Sequence, residues 1–369
     1  MRSPRSTGSL VTLTTAIGVP PAFGTRQEPI SLGRVEPVPG FRQFETLHCV
    51  TGSMRHIYDF HGHPISEELL LGLGAGVGFV YWHMKGQMPF LGGRANVGRP
   101  GEPGLVRLAA GRTGVAVDES HTSSTRKATT ALTNNLDTNQ PLMVGVDMGF
   151  LPYFDFGGEY HFGGHVIVAC GLKQDRVLVA DRDHDLHEIP LEALEQARGS
   201  TFKPFPPRNI WWTWDFTSVR SPTVDQTWTA IAEATSGMLE APIANLGVRG
   251  IGTAAKRVRA WPESVPADLL SRSCFESFIF IDATGGTGGG LFRYMYGRFL
   301  IEAASITGEG RLAEVGARFK DLGDAWQVVA EAFRAPDAAQ NLSEISALIA
   351  GIEPQEREVW ESLRAALPC

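Results

Sequence analysis

The feature of this sequence that most constrains its fold is a change of pattern near residue 220. Before that point, short apolar runs are bounded by turn-forming residues, a pattern typical of strands. These candidate strands lie at residues 105–116, 141–147, 165–171, 176–180 and 209–216. Beyond it, apolar residues recur at helical spacing in long segments. The pattern predicts an α+β fold in the first part and a mostly α-helical second part.

This change divides the chain into three predicted segments. Residues 1–37 form a flexible lead-in that several prolines punctuate. Residues 38–218 form the α+β domain, and residues 224–369 form the mostly helical C-terminal domain. The length of 369 residues suits two domains better than one.

Composition and charge exclude several classes of protein. The formal net charge is −7 and no basic stripe is present, so nucleic acid is not an expected partner. No apolar run reaches the roughly 18 to 20 residues that a membrane span requires. The four cysteines lie far apart, which predicts neither a zinc site nor a disulfide framework. Free thiols favour a cytoplasmic location.

One cysteine stands at the predicted start of a helix, where a thiol is most easily activated. Apolar residues after Cys49 recur at helical spacing, so backbone N–H groups and the helix dipole favour its thiolate. One strand begins at His165 and the next ends at Asp181, and turn residues join them in a β-hairpin. We predict a nucleophile, a base and an orienting acid, namely Cys49, His165 and Asp181.

Other residues compete for two of these roles. Asp147, Asp183 and Asp185 are alternatives to Asp181 as the acid. His48 competes weakly for the role of the base, because neighbours at a helix start point in different directions.

Two glycine-rich runs are more typical of turns than of nucleotide sites. The first, at residues 72–80, follows no strand and contains no Gly-Lys-Ser/Thr, which indicates a close-packed turn. The second, at residues 285–290, follows a strand-like run at residues 278–282. It predicts a tight turn, with a phosphate cradle completed by Arg293 as the alternative.

A long loop at residues 149–164 is rich in aromatic residues and glycine. Its aromatic stretch, residues 150–162, is a candidate cover for a substrate cleft. The alternative is that these rings pack on the core.

The order of the candidate residues resembles the papain-like fold. In that fold a cysteine on a helix is followed by a histidine that opens a strand and by a third polar group. The chain is especially similar to the bacteriocin-processing peptidase domains of peptide exporters. Those domains carry a glutamine six residues before the cysteine, as Gln43 precedes Cys49 here. The resemblance implies that Gln43 supplies an oxyanion-hole donor.

A closer resemblance extends over nearly the whole chain. The pair His48-Cys49, the segment at residues 66–68 and the glycine run at residues 72–79 are similar to the N-terminal domain of butirosin biosynthesis protein H. The chain from about residue 225, including residues 285–293, resembles the helical domain of unknown function that often follows it. This family includes an acyltransferase that moves an aminoacyl chain from an acyl-carrier-protein thioester to an amine of an aminoglycoside.

The resemblance implies a cysteine-dependent acyltransferase of antibiotic or other natural-product biosynthesis. Its donor is an acyl-carrier protein or another thioester, and its acceptor is a small-molecule amine. No metal, nucleotide or other cofactor is needed when the donor is already a thioester. A hydrolase, either peptidase or amidase, with the same triad is the first alternative. A non-catalytic binding protein on this fold is the second. The sequence leaves a homo-oligomer open.

Overall fold

The computed structural model describes residues 34–96, 103–154, 156 and 160–368. The predicted flexible lead-in lies outside the described residues as far as position 33. From Val35 onward the chain forms one compact unit. Val35 and Val38 are buried, and the backbone N–H of Val38 donates to the carbonyl of Cys170 at 2.7 Å.

The first part of this unit mixes helices and strands. In chain order its elements are α1 (Cys49–Phe60), α2 (Glu67–Leu73), β1 (Val77–Trp82), β2 (Phe90–Arg94), α3 (Leu105–Arg112), β3 (Ala116–Ser120), α4 (Thr125–Asp137), β4 (Leu142–Val146), β5 (His165–Lys173), β6 (Arg176–Ala180), β7 (Leu186–Pro190), α5 (Leu191–Gly199) and β8 (Trp211–Asp215).

Six of the strands in the described ranges form one antiparallel sheet, in the order β3-β8-β4-β5-β6-β7. The predicted hairpin at its centre is confirmed, since β5 pairs with β6 and Lys173 faces Arg176 across the turn. On its other side β5 pairs with β4. The strand that begins at His165 therefore lies inside the sheet. β1 and β2 pair separately with each other.

The second part is helical. In chain order its helices are α6 (Val224–Leu239), α7 (Gly247–Arg259), α8 (Trp261–Ser264), α9 (Leu270–Ile281), α10 (Arg293–Thr307), α11 (Arg311–Arg334) and α12 (Leu342–Ala365). Within the described residues, none of the helices is both long and apolar enough to cross a bilayer.

Two of the predicted strands are wrong. Residues 105–112 form α3, which buries Leu105, Val106, Ala109 and Ala110, and the strand β3 begins only at Ala116. Residues 278–281 are the last turn of α9, whose buried residues Ser273, Cys274, Ser277, Phe278 and Ile281 follow helical spacing. In both cases the apolar segment read as a strand is too short to show the helical spacing of the whole element.

Helix α10 packs directly against α2 and ties the second part to the first. A side chain at Gly72 would overlap the ring of Phe299, so the close packing predicted for the first glycine run is confirmed. Arg298 pairs with Glu68 at 2.7 Å, and Ser66 donates to Glu302 at 2.8 Å. Apolar contact and polar contact therefore both cross this boundary.

A buried carboxylate holds the helical part together. Glu356 accepts hydrogen bonds from Arg293 Nε, Trp326 Nε1 and Trp360 Nε1, each at 2.7 Å. Glu356 and Arg293 are fully buried. Arg293 Nη1 also donates to the carbonyl of Gly78 in β1 at 2.8 Å. The Arg293 side chain therefore points into the core and cannot complete the phosphate cradle that the sequence offered as an alternative.

This ion pair should dominate the stability of the helical part. Glu356→Gln leaves the Arg293 guanidinium buried without its counter-charge, and we expect the free energy of unfolding to fall by about 3–5 kcal/mol. Urea denaturation measures this loss. Lys320→Met, which breaks the exposed pair between Lys320 and Asp324, serves as the matched control and should leave the midpoint unchanged. Equal midpoints in Glu356→Gln and the wild type would contradict the assignment.

Candidate active site

Cys49 is the first residue of α1, and the packing of this helix sets its position. Ser53 Oγ donates to the carbonyl of Val166 at 3.2 Å and so fixes α1 against β5. A side chain at Gly52 would overlap Thr46, so glycine lets the chain before α1 approach the helix. The contact with β5 brings the start of the helix to the start of the strand, where His165 lies.

The structure brings the three predicted residues together. His165 Nε2 lies 2.7 Å from Asp181 Oδ2, and both residues are buried. Cys49 and His165 lie close enough for each to shift the pKa of the other. Because Nε2 faces Asp181, Nδ1 is the nitrogen left for the sulfur. Cys49 as a whole residue is only partly buried.

Asp181 is held by groups other than the histidine. Tyr153 Oη donates to Asp181 Oδ2 at 2.9 Å, and the backbone N–H of Arg182 donates to Oδ1 at 2.8 Å. These bonds orient the carboxylate toward His165. Phe154 adds an edge-on contact with the His165 ring at a centroid distance of 5.9 Å. Two aromatic residues of the predicted cover therefore contact the His165–Asp181 pair.

The other candidate aspartates lie in different hydrogen-bond networks. Asp147 accepts from Ser200 at 2.6 Å and lies 3.0 Å from His161. Asp183 lies 2.9 Å from His187 Nε2 and accepts the backbone N–H of Asp185. Among the described residues, Asp181 is the aspartate that contacts His165.

The electrostatics of the site favour a thiolate beside an imidazolium. Burial opposes the charged form of Cys49, but His48 and His165 outweigh it and bring the pKa of the thiol well below its usual range. Burial also lowers the pKa of His165, but Asp181 and Cys49 outweigh it and raise that pKa to about 9. Burial raises the pKa of Asp181, yet His165 and Arg182 hold it below its ordinary value. The proton of the pair therefore resides on His165.

A second series of hydrogen bonds runs beside Cys49, through the adjacent residue His48. Arg94 Nη1 lies 2.6 Å from His48 Nε2. The backbone N–H of Thr51 donates to the other ring nitrogen, Nδ1, at 3.3 Å, and Thr51 Oγ1 lies 3.1 Å from that nitrogen. Thr51 Oγ1 in turn donates to Glu67 at 3.2 Å. Burial and then Arg94 lower the pKa of His48.

Glu67 fixes the backbone ahead of Cys49. Its two carboxylate oxygens accept the backbone N–H groups of Leu47 at 2.9 Å and His48 at 3.0 Å. The side chain is almost fully buried. The residue before Cys49 is therefore anchored to α2.

Gln43 lies at the opposite end of the site. Its Nε2 donates to the carbonyls of Asp181 at 3.2 Å and Asp183 at 2.5 Å. Both N–H groups of the amide are occupied in this arrangement, and they hold the chain after β6. The oxyanion role of Gln43 stays a prediction.

Sequence reasoning missed Arg94, Glu67 and Phe292 as parts of the site; the ring of Phe292 meets that of His48 edge to face. Arg94 lies in a run of Gly, Pro and Arg that is typical of a loop, and Glu67 is a common residue of a first helical turn. No local signal distinguishes them, because their roles depend on contacts with residues far away in sequence. Within the described ranges, no group of three His, Cys, Asp or Glu side chains is placed to hold a metal ion.

Two family models match the chain in succession. Residues 48–182 match the model described as butirosin biosynthesis protein H, N-terminal. This match contains Cys49, His165 and Asp181. Residues 48–182 are thus similar to the N-terminal domain of butirosin biosynthesis protein H. Residues 192–363 match a domain of unknown function, DUF4872. No curated protein matches the chain.

The two matches do not follow the layers of the structure. The butirosin-protein-H match ends at residue 182, directly after Asp181. The second match begins at residue 192 and therefore includes β8, which lies between β3 and β4 in the sheet. The sheet that carries His165 is completed by a strand from the domain of unknown function.

The pKa shifts predict selective alkylation of Cys49 at acid pH. Because the pKa of Cys49 is lowered, iodoacetamide should modify it at pH 6. Burial raises the pKa of Cys170 and that of Cys274, the latter to about 11, so these thiols should stay unmodified. Peptide mass mapping identifies the site.

A Cys369→Ser background removes the one cysteine that lies outside the described residues. Cys49→Ser in this background is the control and should abolish modification at pH 6. Alkylation of Cys49 that begins only near pH 9 would contradict the thiolate assignment.

Proposed function

We propose that the chain is a cysteine-dependent acyltransferase of natural-product biosynthesis, with a papain-like catalytic domain. The observation that carries this proposal is the contact of Cys49, at the start of α1, with a His165 ring that Asp181 holds at 2.7 Å. The butirosin biosynthesis protein H match over the same residues supports a biosynthetic role. The donor is a thioester, most simply one carried by an acyl-carrier protein, and the acceptor is a small-molecule amine.

The first half of the reaction forms an acyl-enzyme. The Cys49 thiolate attacks the carbonyl carbon of the donor thioester, and a carbon–sulfur bond forms as the carbonyl oxygen becomes an oxyanion. The N–H of Cys49 is among the first of a helix, which have no partner within the helix, so it is available to that oxyanion. His165 donates its proton to the departing carrier thiol as the intermediate collapses.

The second half forms the amide. His165, now neutral, takes a proton from the acceptor amine as the nitrogen attacks the acyl carbon. The new carbon–nitrogen bond replaces the bond to sulfur, and Cys49 leaves as the thiolate. Asp181 keeps the imidazole in one orientation through both halves, because its carboxylate contacts Nε2 and leaves Nδ1 toward the sulfur.

Arg94 supplies a further donor near the nucleophile. Its Nε is buried and has no hydrogen-bond partner among the described residues. Burial lowers its pKa and the Cys49 sulfur opposes that shift, which places the guanidinium within electrostatic reach of the thiolate. An unpaired buried donor is costly, so a carbonyl oxygen of the substrate is a favourable partner for it.

Transfer must compete with hydrolysis of the acyl-enzyme, so water has to be restricted. Tyr153 and Phe154 contact the His165–Asp181 pair, and Phe156 stacks on Phe154 at 5.3 Å. These apolar rings support the role of the aromatic stretch as a cover. The same contacts pack the rings on the core, so covering and packing are compatible.

Intact-mass spectrometry tests the acyl-enzyme and separates transfer from hydrolysis. Mixing the protein with an acyl-pantetheine thioester should add one acyl group to the wild type and none to Cys49→Ala. The adduct should discharge rapidly with an added primary amine, giving the amide, and slowly in buffer alone. Rapid release of the free acid without amine would make the chain a hydrolase. The absence of any adduct would favour a binding protein.

Asp181→Asn tests the orienting acid. The Asp181 carboxylate raises the pKa of His165 to about 9, so its removal should lower that pKa and move the alkaline limb of the rate profile to lower pH. We expect acyl transfer near pH 7 to slow by about a hundredfold. Single-turnover rates from pH 5 to 10 measure both effects.

Asp183→Asn is the matched control. Its carboxylate contacts His187 and should leave the rate profile in place. If Asp181→Asn keeps the wild-type rate and profile, the orienting role does not belong to Asp181.

A further inference from the structure

We infer that residues 285–292, in the domain of unknown function, form one wall of the active site and hold the series of hydrogen bonds beside Cys49. These residues are called the glycine segment below. The inference rests on the proposed function, and it gives the helical domain a task within the same reaction.

The end of the glycine segment contacts the residues beside Cys49. The ring of Phe292 meets that of His48 edge to face, with centroids 5.2 Å apart and planes at 86°. A Cβ at Gly93 would lie 2.7 Å from both the Leu291 side chain and its carbonyl oxygen. Gly93 precedes Arg94, whose guanidinium donates to His48. Leu291 therefore packs against Gly93, the residue before Arg94, and Phe292 packs against His48.

The middle of the glycine segment contacts the chain before and after the site. A Cβ at Gly288 would lie 3.6 Å from Leu47 Cδ1, and one at Gly286 would lie 3.5 Å from the Leu47 carbonyl. Just before the segment, the carbonyl of Thr284 accepts from Arg182 Nη2 at 3.2 Å. Leu47 is two residues before Cys49, and Arg182 directly follows Asp181. The segment thus spans the distance between the nucleophile and the acid.

The backbone of the glycine segment is in a conformation that needs support. Gly288, Gly289 and Gly290 have positive φ, and so do Leu291 at 54° and Phe292 at 69°. Left-handed non-glycine residues persist only where the surroundings hold them, and they cluster at functional sites. Support comes from Arg293, whose Nη1 donates to the Leu291 carbonyl at 2.9 Å.

A second route links the helical part to the nucleophile. Arg298 and Glu302 of α10 bind Glu68 and Ser66 on either side of Glu67. The carboxylate of Glu67 accepts hydrogen bonds from the backbone N–H groups of Leu47 and His48. The position of Cys49 is therefore set by the helical part at two points, α2 and the glycine segment. This is a positioning role, exercised through His48 and Leu47.

The test compares two phenylalanines of the helical part. Phe292 contacts His48, whereas Phe333 in α11 is buried against Trp261, with rings stacked at 5.7 Å. Phe292→Ala and Phe333→Ala, both in the Cys369→Ser background, are compared by thermal melting and by the pH dependence of Cys49 alkylation with iodoacetamide. Both variants should melt at lower temperature, because each loses a buried ring.

Only Phe292→Ala should change the pH dependence of Cys49 alkylation. Freed from Phe292, His48 and Arg94 lose their fixed approach to Cys49, and we expect the alkylation midpoint to rise by about one pH unit. Alkylation below the midpoint then slows about tenfold. Phe292→Leu, matched with Phe333→Leu, is the milder pair if an alanine variant does not fold. An unchanged midpoint in the Phe292 variants, or an equal rise in the Phe333 variants, overturns the inference.

The alkylation assay separates this inference from the proposed function. It requires a folded site and a reactive thiol, but no donor or acceptor. The wild-type alkylation midpoint could lie well below pH 9 while the Phe292 variants leave it unchanged. That result would refute the role of the glycine segment and leave the acyl-enzyme mechanism intact. A wild-type midpoint near pH 9 removes both.

Discussion

The arrangement of this protein depends on one buried carboxylate, Glu67. Its two oxygens accept the backbone N–H groups of Leu47 and His48, and a hydroxyl from Thr51. A carboxylate buried this deeply is stable only when such donors satisfy it. They also place the first residue of α1, so the requirement to satisfy Glu67 fixes where Cys49, the proposed nucleophile, lies. The helical part depends in the same way on Glu356, with its three donors.

The two histidines of the site show how environment separates identical side chains. His165 faces a carboxylate and the nucleophile sulfur, and its pKa is raised to about 9. His48 faces a guanidinium, and burial and that guanidinium lower its pKa. His165 therefore holds the proton used in the proposed chemistry, and His48 links Arg94 to Thr51. The two pKa values differ in direction because Nε2 of His165 faces the Asp181 carboxylate, whereas Nε2 of His48 faces the Arg94 guanidinium.

Local patterns predicted much of the fold and the neighbourhood of the site. Cys49, His165 and Asp181 each stand at the end of a regular element, so their positions follow from where that element begins or ends. Helix α6 spans Val224–Leu239, as its helical period predicts. The strand predicted at residues 278–282 failed because the window was shorter than the helix α9 that contains it. The resemblance to bacteriocin-processing peptidases implied a place for Gln43 near the triad, but not the carbonyls that its amide binds.

Contacts between distant residues were beyond such patterns. Arg94 and Phe292 are separated by nearly two hundred positions, yet both contact His48. Nothing in the sequence around either residue distinguishes it from an ordinary loop or core residue. Phe292 has a left-handed backbone conformation, which a phenylalanine rarely adopts by itself, so packing must hold it there.

The strand β8 has a consequence for how such proteins can be recombined. It belongs by sequence to the domain of unknown function, yet it lies between β3 and β4 in the sheet of the other domain. A hybrid joined at the boundary of the two family matches would insert a foreign strand into the middle of that sheet. It would also have to supply a guanidinium for the carbonyl of Gly78, which Arg293 now serves. The smallest exchangeable module is therefore the pair of domains, and an engineer who wishes to alter the substrate would do better to graft loops than domains.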